Sequence, residues 1–137
     1  MTGKPAGFSL MELLIALVIV GILSAMAIPT YNSYTKRAHY SEIVLATQPY
    51  KIAVMECFVI AGDLSKCQGG KEGIPANIDQ GRDAIKSMTV NHGVITVTPN
   101  TKNGLNETDT YILTPMLSGT RLQWKSSGVA VTAGLTR

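Results

Sequence analysis

From Leu13 to Thr35 the chain carries no charged residue, and over its full 137 residues only 15% are charged and 6% aromatic. Histidine occurs twice, at His39 and His92, and neither sits in a cluster suited to catalysis or metal binding. No nucleophile motif, paired-carboxylate site or phosphate loop is present. These absences argue against an enzyme and leave no place for a cofactor. Internal repeats and low-complexity tracts are missing as well. The formal charge of +3 is mild and does not by itself call for nucleic acid or anionic lipid. Cysteine is confined to Cys57 and Cys67.

What the chain does have is one long apolar run. As a helix, Phe8 to Ile28 would span about 31 Å at about 1.5 Å per residue, which matches a hydrocarbon core of about 30 Å. Only Ser9, Glu12, Gly21 and Ser24 interrupt its apolar character. A charge within a spanning segment costs a few kcal/mol on insertion scales, so Glu12 is expected to have a task. Two plainer readings compete. One is a secretory signal peptide, with Lys4 as its basic region and Ala25-Met26-Ala27 as the cleavage site. The other is a generic single-span anchor. Neither explains Glu12 at the head of the run or Gly7-Phe8 ahead of it.

Beyond the run, about 100 residues remain, enough for one small core. Tyr31, Tyr34, Ala38, Leu45 and Ile52 recur at helical spacings, with Lys36, Arg37, Glu42 and Lys51 elsewhere. This predicts an amphipathic second half of one long helix, bent near Pro29 and Pro49 and stopped near Gly62. Residues 62–84 read as an irregular connection. The period then becomes two. Ile85, Met88 and Val90 form one run and Val94, Ile95 and Val97 another, with the hairpin signal Asn91-His92-Gly93 between them. Thr110–Thr114 and Arg121–Lys125 read as further strands, and Val129–Thr132 as a short fifth piece or a tail. The fold class is therefore α+β: a long bent N-terminal helix packed on a small antiparallel sheet of three to four strands. The sheet is expected to lie on Ala38, Leu45 and Ile52.

Gly7, Phe8, Glu12, the run Leu13–Ile28, Pro29 and the following Tyr31-Asn32-Ser33-Tyr34-Thr35 together resemble the type IV pilins, with a short leader of the IVa kind. The resemblance is close from Gly7 to roughly Ala61 and architectural beyond. It implies residues 1–7 as a prepilin leader, 8–29 as a transmembrane and assembly helix, and 30–137 as a globular head. Prepilin peptidase would cut between Gly7 and Phe8 and methylate the new amino terminus of Phe8. Glu12 would then lie against the terminal ammonium of a neighbouring Phe8 in the filament. The implied partners are other pilin subunits in a homopolymer, the peptidase, the inner-membrane pilus assembly machinery and the inner membrane itself before assembly. The implied destination is an extracellular filament serving adhesion, twitching motility or DNA uptake. Alternatives within the same resemblance are a type II secretion pseudopilin and a DNA-binding minor pilin. The chain departs from the family in having no cysteine after Cys67, and in carrying Ala6 before Gly7, with the basic charge at Lys4 instead.

Three smaller features bear on those alternatives. A head outside the cytosol meets oxidising conditions, and nine residues separate Cys57 from Cys67, so a local disulfide is geometrically easy. Two buried free thiols are the alternative. Asn103, Asn106, Glu107 and Asp109 gather oxygen atoms in a short loop, but their spacing fits no calcium loop. Lys36, Arg37 and His39 form a basic group that reads as a solvated helix face or subunit contact before it reads as a lipid or DNA site. A stripe of Lys86, Lys102, Arg121 and Lys125 would be needed for DNA binding.

Overall fold

The computed structural model describes Gly3 and residues 7–137, so Lys4 and most of the expected leader lie outside the described residues. The described residues divide into two units, one ending at Tyr34 and one spanning Thr35–Arg137.

In the first unit, Gly7 to Ser9 precede the helix α1 (Leu10–Ala46), whose first turn closes with the Leu13 N–H donating to the Ser9 carbonyl at 3.1 Å. Every residue from Gly7 to Tyr34 is exposed. The stretch is long and apolar enough to cross a bilayer. It stays helical through Pro29. Flanking the proline, Thr30 Oγ1 donates to the Met26 carbonyl and Ser33 Oγ to the Pro29 carbonyl, each at 3.2 Å. Such back-bonds compete with the helix ladder and bend it slightly.

The second unit contains the end of α1, then α2 (Gln48–Ala61), a 3-10 turn (Leu64–Lys66), four strands and the short helix α3 (Val129–Thr132). Thr47 alone separates α1 from α2, so the bend expected near Pro49 falls two residues earlier. Its hydroxyl donates to the Val44 carbonyl at 2.7 Å, and its own carbonyl accepts from Lys51 N at 3.0 Å. Pro49 then occupies the first turn of α2, where a missing N–H leaves nothing unpaired. Gly62 ends α2 in the left-handed region at φ 68°, its N–H on the Phe58 carbonyl.

The strands β1 (Ile85–Asn91), β2 (Val94–Pro99), β3 (Tyr111–Ser118) and β4 (Arg121–Ser127) form one antiparallel sheet in that order. The β1–β2 turn places His92 and Gly93 at φ 50° and 77°, the two positive values that a tight hairpin turn of this twist requires. Gly93 has a second reason to lack a side chain. A Cβ there would meet Leu64 Cδ2 at 2.8 Å and Pro115 Cγ at 3.2 Å.

The core lies between the helices and one face of the sheet. Tyr40, Ile43, Tyr50, Ala53, Val54 and Cys57 face Met88, Val90, Ile95, Val97, Tyr111 and Leu113. This corrects the expected packing face: Ala38, Leu45 and Ile52 are exposed, the last two at 67% and 54%. The expected stripe exists, but it faces solvent. A second stripe at 40, 43, 47, 50, 54 and 57 faces the sheet. Val129–Thr132 is also not a strand. Gly128 at φ 104° turns the chain, the Ala130 N–H donates to the Thr110 carbonyl, and Ala130 is fully buried.

Candidate functional site

The candidate cleavage and assembly residues lie on an exposed stretch at the start of α1. Gly7, Phe8 and Ser9 are outside any helix or strand, and Phe8 is 78% exposed. Nothing approaches within 4 Å of where a Gly7 side chain would be. A peptide bond in such a segment can be drawn into a protease cleft without unwinding helix. Four residues on, Glu12 stands in the first turn of α1, where a carboxylate complements the positive end of the helix dipole. Among the described residues Glu12 has no ion pair. Gly7, Phe8 and Glu12 are thus brought together by sequence alone, all on one exposed apolar stretch.

In the second unit the helices carry two apolar stripes. Ile43 and Leu45 differ by about 200° around the axis at about 100° per residue, so one stripe faces the sheet and the other faces away. The outward stripe holds Ala38, Leu45, Ile52, Met55 and Val59, all exposed. Ile52, Met55, Glu56, Val59 and Ile60 line a shallow apolar groove along α2. Exposed patches of this kind mark interaction surfaces in soluble domains.

The basic group is largely engaged within the head. Lys36 Nζ lies 3.0 Å from the buried Asp109 carboxylate, which also accepts from the Asn106 N–H at 3.1 Å. His39 stands 3.7 Å from Glu42 and 3.5 Å from the Asn103 side-chain amide. Lys86 pairs with Glu107 at 2.6 Å. Both carboxylates of the 103–109 loop are therefore held by lysine ammonium groups. No group of three or more metal-ligating His, Cys, Asp or Glu side chains occurs among the described residues. The stripe that DNA binding would need is likewise reduced, because Lys86 is paired with Glu107.

Tyr40, which the sequence does not single out, and Asp109, which it offers only as a loop oxygen ligand, organise this end of the head. The Tyr40 hydroxyl donates to the Asp109 carbonyl oxygen at 2.8 Å, and its ring meets Tyr111 edge-on at 6.2 Å. Burial pushes the Tyr40 phenol well above its ordinary value, with the Asp109 charge and Tyr111 adding to the shift. Burial raises Tyr50 and Tyr111 in the same direction, the latter partly offset by a hydrogen bond with Thr136. Asp63 is lowered instead, because the Ser65 hydroxyl and N–H both donate to its carboxylate. That carboxylate caps the 3-10 turn leading to Cys67.

Cys57 and Cys67 form a disulfide with their Cα atoms 5.8 Å apart. It joins the last turn of α2 to the end of the 3-10 turn. The Cys67 carbonyl accepts from the Gly93 N–H at 2.8 Å, which links the bridge to the β1–β2 turn.

Comparison with known proteins adds a consistent set of likenesses. The family described as prokaryotic N-terminal methylation motif matches residues 3–28. Prepilin peptidase-dependent protein D of Escherichia coli is 36% identical over 104 residues, covering 75% of this chain and 70% of that protein. The fimbrial protein of Neisseria meningitidis serogroup A is 38% identical over 101 residues, covering 74% of this chain and 59% of its own length. The type IV major pilin protein PilE of Neisseria gonorrhoeae is 38% identical over 97 residues, covering 71% and 58%. The chain thus spans less than three-fifths of these two Neisseria proteins. Among solved structures, the solution NMR structure of the major type IV pilin PpdD from enterohemorrhagic Escherichia coli matches with a TM-score of 0.55. That likeness has 27% identity and covers 69% of each chain.

Proposed function

Because the chain belongs to the type IV pilin family, we propose that it is a structural, non-catalytic subunit polymerising into a surface filament. Prepilin peptidase cuts after Gly7 and methylates the amino group of Phe8. Residues 8–29 hold the subunit in the inner membrane until the assembly machinery extracts it. Residues 30–137 form the head displayed on the extracellular fibre, which serves adhesion, twitching motility or DNA uptake. The observation that carries this reading is the pairing of an all-round apolar N-terminal helix with an outward apolar stripe at Ala38, Leu45, Ile52, Met55 and Val59. A lone anchor needs the first of these and has no use for the second.

Glu12 has a physical role in such a polymer. Cleavage creates an ammonium group at Phe8, and in apolar surroundings both it and the Glu12 carboxylate are costly alone. Within one extended N-terminus the two belong to the same chain, but between staggered subunits the pair fixes axial register. A pseudopilin holding calcium at residues 103–109 is less well supported, since Lys36 and Lys86 occupy the carboxylates there. Intact-mass measurement of the purified protein tests the proposal. The expected chain begins at Phe8 and carries one added methyl group. A chain beginning at Ile28 would mean a secretory signal and overturn it. With processing intact, Glu12→Ala should abolish filaments while leaving the subunit in the membrane.

A further inference from the structure

The two edges of the sheet are treated differently. Along the outer edge of β1, the Gly69 N–H donates to the Val90 carbonyl at 3.0 Å, and the Gly81 N–H to the Lys86 carbonyl at 2.7 Å. Between them, Ile78 and Met88 exchange both backbone bonds at 2.8 Å. That edge is closed by the chain's own connection. Along β4, no backbone bond from outside the sheet is made among the described residues.

The register says which groups the open edge presents. Pro115 has no N–H and stands opposite Trp124, so that pair is not a hydrogen-bonded one. Alternation then gives the ladder bonds to Lys125 and Gln123, opposite Thr114 and Met116, and turns the backbone N–H and C=O of Leu122, Trp124 and Ser126 off the edge. An unpaired row of this kind is a template for another strand. The following chain does not cover it, because Ala130 bonds back to Thr110 at the far end of β3.

The side chains on β4 select what can pair. Arg121, Gln123 and Lys125 are exposed and share one face, and neither cation has an ion pair among the described residues. They stand four residues apart, about 13 Å along a strand. Leu122 and Trp124 are half-buried on the opposite face, at the rim of the core, with Lys51 Nζ 5.8 Å from the Trp124 ring. Like charges facing each other across the edge disfavour a second β4. The same charges favour an acidic strand. The carboxylates of the chain's own acidic loop, Glu107 and Asp109, are already held by Lys86 and Lys36.

We infer that the outer edge of β4 is a strand-addition site for an extended acidic segment of another protein, with the five-residue pattern acidic–apolar–any–apolar–acidic. The acidic positions meet Arg121 and Lys125, and the apolar positions extend the core beside Leu122 and Trp124. The pattern reads the same in either direction, so charge alone does not choose between parallel and antiparallel addition.

The test uses the full chain in nonionic detergent micelles, with Trp124 as its sole tryptophan. The probe is the synthetic peptide Thr-Glu-Val-Thr-Val-Glu-Thr, compared with the same peptide carrying Lys for both Glu. The acidic peptide should change Trp124 fluorescence saturably and slow hydrogen exchange at the amides of Leu122, Trp124 and Ser126. Arg121→Glu with Lys125→Glu should weaken it about tenfold and reverse the preference between the peptides. Ser126→Pro, which removes an outward N–H but no ladder bond, should also weaken it, with the β1 and β2 amides still protected as proof of folding. Equal binding of both peptides, or binding without protection of the three amides, would overturn the proposal. So would a duplex DNA oligonucleotide that engages Arg121 and Lys125 while the acidic peptide does not bind.

Discussion

Two apolar stripes run along residues 38–61, and they have opposite fates. One, at 40, 43, 47, 50, 54 and 57, is buried against the sheet. The other, at 38, 45, 52, 55 and 59, faces away and stays exposed. The inward stripe is the more polar by composition, since it includes two tyrosines and a threonine. Each of those hydroxyls is satisfied: Tyr40 on the Asp109 carbonyl, Tyr50 on the Ala76 carbonyl at 2.9 Å, and Thr47 on the Val44 carbonyl. The outward stripe has only aliphatic and thioether side chains, with nothing to bond and nothing among the described residues to cover them. Polar residues that close their hydrogen bonds are compatible with a core. Apolar residues left outside it await a partner.

The contrast breaks down if both stripes respond alike to substitution. Ile43→Ala should destabilise the head by about 2–5 kcal/mol, from lost burial plus a cavity. Leu45→Ala and Ile52→Ala should change it by no more than about 0.5 kcal/mol, as exposed positions do. Urea unfolding of the full chain in detergent measures both. Leu45→Asp with Ile52→Asp should leave that unfolding curve in place yet sharply reduce filament yield. An unfolded double mutant would show that the outward stripe also supports the fold.

Replacing both cysteines by serine addresses the inward stripe from its end, at Cys57. The expected loss is about 2–3 kcal/mol for a short closed loop. Processing at Gly7 should be unaffected, because it uses only the N-terminal stretch, and mass measurement of the variant checks this.

Lys36→Met tests how far the buried end of the same stripe depends on charge. It leaves the Asp109 carboxylate with the Asn106 N–H as its remaining described partner, and about 1–2 kcal/mol should be lost. Lys86→Met, removing an exposed pair, should cost about 0–1 kcal/mol. Equal effects would deny the buried pair any special place.

The smallest effect lies in alkaline solution. Tyr40 has its pKa raised by burial, so the folded head holds that proton more tightly than the unfolded chain. Its contribution is fully present below the ordinary phenol value of about 10 and is lost as pH rises beyond it. Stability should therefore be flat near neutrality and decline above about pH 10. Tyr40→Phe should make that decline shallower, while Tyr50 and Tyr111, also raised, keep part of it.

Much of this molecule was legible from period and punctuation. Gly62 ends α2, His92-Gly93 makes the first hairpin, and the four strands fall where the period of two begins. Gly7, Phe8 and Glu12 stand out by residue type and spacing, and the roles proposed for them rest on the resemblance to the pilins. Which stripe meets the sheet was not legible. Both repeat every seven residues, and the choice rests on hydroxyl partners as distant in sequence as Tyr40 and Asp109. The pairing of Lys36 with Asp109 was hidden for the same reason. Val129–Thr132 looks like a strand because three of its four residues are β-branched, but Gly128 at φ 104° redirects the chain before a fifth strand can start.

The buried bridge carries information about time. Both cysteines are fully buried, so no oxidant reaches them once the core has closed around them. The sulfur–sulfur bond must therefore be made while the head is still open. Its two ends are ten residues apart, and a loop of that size brings its ends together in about 10–100 ns, whereas making the sulfur–sulfur bond takes seconds to hours. The thiols thus meet many times for each bond made, and oxidation is the slow step. Once made, the bond holds the turn whose Cys67 carbonyl accepts from the Gly93 N–H, so the first hairpin is anchored through it.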